Sequence, residues 1–114
     1  MKIRVAPTAL NDLKDIEDYI TNGYDNPSAA KRTIKKIISS YLKLQTSPYI
    51  GVSLRLKYSI DTPVRFIVSG NYLVFYETNN NYVEIKRVIH GKRDYCKLLF
   101  GIKTTDDLSE DEQE

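Results

Sequence analysis

The chain of 114 residues has few of the side chains that bind metals or form disulfide bonds. It contains one cysteine, Cys96, and one histidine, His90. A single cysteine excludes an internal disulfide and a cysteine-rich zinc site, and it fits a reducing compartment. Without a second histidine or a cysteine pair at ligand spacing, no metal site is expected. The sequence also lacks a P-loop, a GxGxxG fingerprint and a serine-centred elbow, so no cofactor is expected.

Long apolar runs are absent as well. No stretch approaches the roughly 20 apolar residues that cross a bilayer, and the start MKIRVAPTAL lacks the apolar core of a signal peptide. We therefore expect a soluble cytoplasmic protein with no membrane partner. The length suits one domain. The apolar fraction of 41% and the nine tyrosines favour a folded chain over a disordered one.

The formal net charge of +2 conceals an uneven distribution. Six of the 15 acidic residues lie in the final stretch TTDDLSEDEQE, which has no basic residue. The preceding 103 residues therefore carry nine acidic and 17 basic residues, a charge of about +8. A basic body favours a polyanionic partner, either a nucleic acid or an acidic protein that covers it.

Two amphipathic helices are predicted in the first half of the chain. After a short strand over residues 2–6, Pro7 suits the first turn of a helix, whose apolar stripe is Leu10, Leu13, Ile16 and Ile20. A second helix is predicted from Pro27 to about Thr46, with an outward basic face of Lys31, Arg32, Lys35, Lys36 and Lys43. Consecutive amphipathic helices with a short polar link form a helical hairpin.

The hydrophobic period then changes to two. Residues 54–58 and 64–69 alternate as in strands, YLVFYE is apolar on both faces as in a central strand, and YVEIKRVIH follows a turn of three asparagines. The order of one strand, two helices and then three or four hairpin-linked strands predicts an α+β fold. In it, an N-terminal helical hairpin packs on one side of a twisted antiparallel β-sheet.

The last predicted strand places a charge among apolar residues. If the odd-numbered residues from 83 to 89 share one face, Arg87 lies beside valine and isoleucine side chains. An arginine in that position either forms a structural salt bridge, for example to Glu77 or Glu84, or is held to bind an anion.

His90 ends this strand just before Gly91, where a side chain can open into a groove. Histidine titrates near neutrality, so it could act as general acid or base in phosphodiester cleavage; the structural alternative is a partly exposed histidine bonded to the backbone. Arg65 could stabilise the dianionic phosphorane of RNA cleavage, since a guanidinium grips two phosphate oxygens. Tyrosines 72, 76 and 95 either stack on bases or pack in the core.

Several segments together resemble the RelE/ParE family of bacterial toxins from type II toxin–antitoxin pairs. The segment APTALNDLKDIEDYI resembles the family's opening through Ala9, Asp12, Leu13 and Ile16. NPSAA resembles the entry to the second helix, SPYIG the following loop, and GNYLVFYE with VEIKRVIHGKRDY the closing strands. The resemblance covers about residues 2 to 100. We therefore expect a RelE/ParE-like toxin domain over residues 1–101 and an acidic, disordered tail over residues 102–114.

The resemblance implies a toxin that arrests bacterial growth and is neutralised by a cognate antitoxin, usually acidic and DNA-binding, in a toxin–antitoxin hetero-oligomer. RelE-like members are ribosome-dependent mRNA endoribonucleases (mRNA interferases) that need no metal, whereas ParE-like members inhibit DNA gyrase. The expected second partner is therefore gyrase or the ribosome with its mRNA.

The residues at the family's site positions separate these two activities. Arg93 matches an arginine of the RelE-type site, but Leu73 stands where RelE-type enzymes carry an arginine, which is the ParE-like form. Arg65 is the counterpart of their lysine pair, and Tyr95 is the nearest substitute for a late tyrosine. Other nucleases of the family use a histidine near the position of His90.

The resemblance thus favours ParE-like gyrase inhibition, with two alternatives: a RelE-like ribonuclease, and a non-toxic protein of the same fold that only binds a partner. If the chain is a ribonuclease, its catalytic residues are expected to be Arg65, His90, Arg93 and Tyr95. The residues expected to bind nucleic acid or a partner are Lys86, Arg87, Lys92 and Tyr76.

Overall fold

The computed structural model describes residues 1–101, which contain four α-helices and five strands. In chain order the elements are β1 (Lys2–Val5), α1 (Pro7–Gly23), α2 (Pro27–Leu42), β2 (Val52–Ser53), α3 (Leu54–Tyr58), β3 (Arg65–Ser69), β4 (Tyr72–Thr78), β5 (Tyr82–His90) and α4 (Tyr95–Phe100). The predicted acidic tail lies outside the described residues.

All five strands form one sheet in the order β1, β5, β4, β3, β2. The α+β architecture with an N-terminal helical hairpin is confirmed, but the sheet is mixed: β1 runs parallel to β5, with Lys2 opposite Tyr82, and the other pairs are antiparallel. Parallel neighbours need a long connection, and the segment between β1 and β5 provides one, because it contains the helical hairpin, α3 and the three other strands.

Both long helices begin as the sequence predicts. Pro7 and Pro27 occupy the first helical positions of α1 and α2, where a missing N–H costs nothing. The Asn26 side chain caps α2 by accepting a hydrogen bond of 3.0 Å from the Ala29 N–H. α2 ends at Leu42, and a 3₁₀ turn over Lys43–Gln45 continues to the predicted end of the helix.

The helical hairpin packs on one face of the sheet, where it forms the first cluster. This cluster contains Ala9, Leu13, Ile37, Tyr41, Leu44, Val74, Tyr76, Val83, Ile85 and Val88. The opposite face carries the second cluster, which contains Leu54, Phe66, Leu73, Phe75 and Ile89. The short helices α3 and α4 cover it through Tyr58, Tyr95, Leu99 and Phe100. The sequence did not predict α4.

The predicted strand over residues 54–58 is wrong, because these residues form α3. The Ser53 hydroxyl accepts a hydrogen bond from the Leu56 N–H, and Ser59 ends the helix in the left-handed conformation with φ 58°. Leu54 is fully buried and Leu56 is 85% exposed. Leu54 and Tyr58, one helical turn apart, both pack on the second cluster. In a segment of five residues, the apolar spacing fits both the two-residue period of a strand and the 3.6-residue period of a helix.

A β-bulge interrupts the pairing of β4 with β5. Lys86 is an extra residue between Ile85 and Arg87, so the side-chain alternation reverses along β5. Ile85 and then Val88 belong to the first cluster, and Ile89 belongs to the second. The prediction that all odd-numbered residues from 83 to 89 share one face is therefore wrong.

Among the helices within residues 1–101, none combines the length and the apolar character needed to cross a membrane.

Candidate functional site

A groove of about 810 Å³ lies between the helical hairpin and the end of the sheet where β5 stops. Two pairs of rings line it. Tyr19 and Tyr24 meet edge to face with centroids 5.7 Å apart, and Tyr72 and His90 do the same at 5.3 Å. Carboxylates of α1 and the guanidinium of Arg93 line the groove as well. The arrangement offers apolar ring surface with charges of both signs, which suits binding of a partner.

His90 is fixed by its own backbone turn. Its Nδ1 accepts a hydrogen bond of 3.1 Å from the Lys92 N–H, so in this arrangement the ring carries no proton on Nδ1. The neighbouring Gly91 N–H donates to the Asn71 carbonyl at 2.8 Å, which joins the β5 end to the β3–β4 turn. This is the backbone-bonded histidine of the structural alternative, although the ring still lines the groove.

Arg93 is exposed and lies beside His90, because its N–H donates to the His90 carbonyl at 3.0 Å. These two of the four predicted catalytic residues therefore come together at the groove.

Arg65 lies at the other end of the sheet. Its guanidinium donates to the Gly51 carbonyl at 3.0 Å and lies 5.5 Å from the Tyr49 ring centroid. His90 pairs with Tyr72 on β4, and Tyr72 pairs with Ser69 on β3. Ser69 lies four residues beyond Arg65 on the same strand. Four strand residues span about 13 Å, so Arg65 and His90 do not share a site.

Tyr95 packs on the face of the sheet opposite His90. Its ring contacts Phe66 and Phe75 in the second cluster, with centroids 5.9 and 5.2 Å away. Its hydroxyl forms a hydrogen bond with the Tyr58 hydroxyl. The Tyr95 ring thus helps to hold α4 on the sheet, and the four predicted catalytic residues divide between two faces and two ends of the molecule.

Arg87 forms a salt bridge, but its partner is Asp12 of α1 rather than Glu77 or Glu84. The Asp12 carboxylate accepts from Arg87 Nε at 2.7 Å, from Nη2 at 3.0 Å and from the Val88 N–H at 2.9 Å. The hydrogen bond to Asp12 raises the pKa of Arg87. Arg87 therefore fastens α1 to β5, and its side chain is committed within the protein.

The other residues predicted to bind a partner occupy three different environments. Lys86 pairs with Glu84 at 2.7 Å and Glu77 at 3.2 Å; the hydrogen bond to Glu84, above all, raises the pKa of Lys86. Lys92 is exposed on the loop before α4. Tyr76 is fully buried, and its hydroxyl accepts a hydrogen bond of 2.9 Å from the Gly51 N–H. A buried ring has no face open to a base, so stacking by Tyr76 is inconsistent with its position.

Within residues 1–101, no group of three or more histidine, cysteine, aspartate or glutamate side chains is arranged to hold a metal ion.

Comparison with known families assigns the chain. Residues 3–95 match the family described as ParE toxin of type II toxin-antitoxin system, parDE. The chain belongs to the ParE toxin family. The match spans most of the chain, including the helical hairpin and all of the sheet except Lys2.

A solved structure titled "Chromosomal ParDE TA system from P. aeruginosa" has the same fold as this ParE-family chain, with a TM-score of 0.65. The two chains are 18% identical, and the likeness covers 79% of this chain and 95% of the other. No curated protein matches the chain.

In this ParE-family chain, Leu73 lies within the second cluster and is 9% exposed. It contacts an apolar surface that α4 covers. A charged side chain at this position would be buried without a partner, which costs several kcal/mol.

Sequence reasoning missed Asp12 as the partner of Arg87 and the ring pair Tyr19–Tyr24. A signal for Asp12 was present, because Asp12 lies between Ala9 and Ile16 on the buried side of α1. A carboxylate on the buried, apolar side of a helix predicts a basic side chain on the element that packs against it. The ring pair had no comparable signal, since it depends on how the turn between α1 and α2 closes.

Proposed function

We propose that this ParE-family toxin arrests bacterial growth by inhibiting DNA gyrase. The observation that carries the proposal is the separation of Arg65, the His90–Arg93 turn and Tyr95 across two ends and two faces of the sheet. A metal-independent ribonuclease needs its charge-stabilising groups around one phosphate. Within residues 1–101 the predicted groups do not converge in that way.

The second cluster supports the same proposal. The strand position that RelE-type enzymes use for an arginine is Leu73, and the surface around it is apolar and covered by α4. Removing a positioned charge from a phosphoryl-transfer site costs about 10²-fold or more in rate. A toxin without that charge is better suited to blocking a protein than to cleaving RNA.

We further propose that a cognate antitoxin, acidic overall, neutralises the toxin in a hetero-oligomer. The solved structure of similar fold is titled as a ParDE toxin–antitoxin system. The first 103 residues of this chain carry about +8, and the ring-lined groove offers apolar anchoring surface beside charge. Both features suit an acidic partner with apolar anchors.

The decisive experiment adds the purified chain to DNA gyrase and relaxed plasmid. Inhibited supercoiling is expected, together with linear plasmid after denaturation, because a trapped cleavage complex releases broken DNA. The same preparation preincubated with the protein encoded by the adjacent reading frame should lose this effect. Gyrase that works normally at a large molar excess of the chain would sink the proposal.

One observation favours ribonuclease activity as a second candidate, since His90 and Arg93 lie in one turn at the groove. This candidate predicts cleaved mRNA in a translating extract and its loss in Arg93→Ala and His90→Gln variants. Arg55→Ala, which removes an exposed arginine on α3, is the matched control. Intact mRNA in the presence of the unaltered chain excludes this candidate, and absence of growth arrest on expression favours a non-toxic binding protein.

A further inference from the structure

The two helices of the hairpin carry opposite charge. α1 has four acidic residues and one lysine, whereas α2 has four basic residues, Lys31, Arg32, Lys35 and Lys36, and no acidic one. All four are exposed, and they are the only exposed residues between positions 31 and 36. Within residues 1–101 none of the four forms an ion pair. Their charge is therefore uncompensated locally.

The positive surface continues from α2 to the end of the sheet. A side-chain carbon added at Gly70 would lie 3.9 Å from Nζ of Lys36, so Lys36 lies against the β3–β4 turn. The Ser40 hydroxyl bonds to the Ser69 hydroxyl at 3.1 Å and holds α2 at that turn. Asn71, in the same turn, accepts from the Gly91 N–H, which brings exposed Lys92 and Arg93 to this end of the molecule.

We propose that this surface, formed by Lys31, Arg32, Lys35, Lys36, Lys92 and Arg93 and here called the basic rim, binds the phosphate backbone of a nucleic acid duplex. This goes beyond gyrase inhibition, because it assigns a direct nucleic-acid contact to the toxin itself. The basic rim is distinct from the ring-lined groove, although Arg93 borders both.

The composition of the basic rim favours phosphate over a protein partner. Protein interfaces are depleted in lysine at their centres and depend on apolar or aromatic anchors. Between residues 31 and 36 the exposed surface has no such anchor, whereas Lys and Arg are the main side chains that contact phosphates. The charges lie in two adjacent pairs one helical turn apart, about 6 Å along the axis, which corresponds to roughly two base-pair steps.

The contacts would be independent of base sequence. Between residues 31 and 36, α2 exposes only flexible lysine and arginine side chains, which reach phosphates without entering a groove to read base edges. Binding of this kind releases counterions, so its affinity falls steeply with salt.

The test is fluorescence anisotropy of labelled 20-base-pair DNA and RNA duplexes with the full chain at several salt concentrations, without gyrase. The double variant Lys35→Gln, Lys36→Gln should weaken binding about equally for different sequences and lower the slope of log K against log salt by about two. The control is Lys2→Gln, Lys14→Gln, which removes the same net charge from exposed positions outside the basic rim. It should retain most of the affinity.

Three results would overturn the inference. The first is that the unaltered chain binds neither duplex at low salt. The second is that the two double variants lose equal affinity, and the third is that the chain binds a labelled acidic peptide, added as a further probe, but neither duplex. The inference is supported if the chain binds DNA, RNA or both and if the Lys35→Gln, Lys36→Gln variant loses more affinity than the control variant. The duplex that binds identifies the nucleic acid. Gyrase is absent from the anisotropy assay. A chain that fails to bind a duplex can therefore still inhibit supercoiling, and a chain that fails to inhibit supercoiling can still bind a duplex.

Discussion

On the hairpin side of the sheet, α1 and α2 contribute 33 helical residues, whereas α3 and α4 contribute 11 on the other side. The first cluster contains ten buried residues and the second contains five. Isolated helices shorter than about 12 residues are marginal in water. α3 and α4 therefore depend on their packing against the second cluster.

This difference suggests a division of stability within one sheet. The hairpin face is held by the larger buried cluster and by the ion pair of Arg87 with Asp12. The α4 face is held by the smaller cluster, by buried Cys96 and by the hydrogen bond between Tyr58 and Tyr95. Local opening with a small free energy occurs where few buried apolar contacts hold a segment. We expect α4 to open more readily than the hairpin.

The largest effect is expected for Ile37→Ala, which removes a 1%-exposed side chain from the first cluster. The lost burial and the cavity should lower the free energy of unfolding by about 2–5 kcal/mol. Urea denaturation followed by circular dichroism measures it. Leu10→Ala on α1, where Leu10 is 54% exposed, serves as control and should change the value by no more than about 0.5 kcal/mol.

Asp12→Asn should have the next largest effect. Asparagine has the same shape, but it is neutral and has only one side-chain oxygen, so it cannot replace the charged, two-oxygen acceptor of the Arg87 guanidinium. We expect the free energy of unfolding to fall by about 1.5–3 kcal/mol. Asp15→Asn removes a carboxylate that forms no ion pair within residues 1–101 and should be nearly neutral. Equal stability of the two variants would show that the ion pair does not fasten the hairpin.

Alkaline pH should weaken the hairpin face. Burial raises the pKa of Tyr41 and Tyr76 above the usual 10.0. The folded chain then keeps these protons after the unfolded chain has lost them, so the stabilisation is complete below pH 10 and is lost as the pH rises through the folded-state pKa. Each tyrosine contributes a slope of at most about 1.4 kcal/mol per pH unit.

Urea titrations at pH 8, 10 and 11 test this dependence. Tyr41→Phe should flatten the decline above pH 10, whereas Tyr49→Phe, at a position 62% exposed, should not. A decline of the same steepness in Tyr41→Phe would assign the alkaline sensitivity to other groups.

The smallest effect on global stability is expected for Leu99→Ala. Leu99 is half-buried against the second cluster, and its truncation should cost about 1 kcal/mol or less. Hydrogen exchange should nevertheless rise about fivefold in residues 95–101, since the loss falls on local opening. Leu98→Ala changes the neighbouring leucine, which is 40% exposed, and should leave exchange nearly unchanged. A rise spread over the whole sheet would contradict the proposed division.

The sequence predicted those elements whose local signals agree with their packing. Pro7 and Pro27 marked the helix starts, and YLVFYE marked a strand buried on both faces. The bulge at Lys86 could not be predicted, because it depends on the pairing of β4 with β5 rather than on either strand alone. α4 was missed because a helix of six residues gives too short a periodic signal.

The candidate site was predicted in part. His90 and Arg93 are near each other in sequence, and a turn brings them to one groove. The positions of Arg65 and Tyr95 depend on strand register and on which face α4 covers, which are long-range properties. The partner of Arg87 is Asp12, 75 residues away in the chain, so the nearby carboxylates Glu77 and Glu84 were the wrong candidates.

The parallel pairing of β1 with β5 has a consequence for how the chain acquires its structure during synthesis. Lys2 lies beside Tyr82, so β1 waits for a partner strand that is synthesised 80 residues later. At about 5–20 residues per second this delay is roughly 4–16 s. During that time α1 can form, but it has neither its sheet nor Arg87 to dock on. We therefore expect the toxin to gain its native surface only after β5 has been synthesised, when a neutralising partner already present in the cell can meet it.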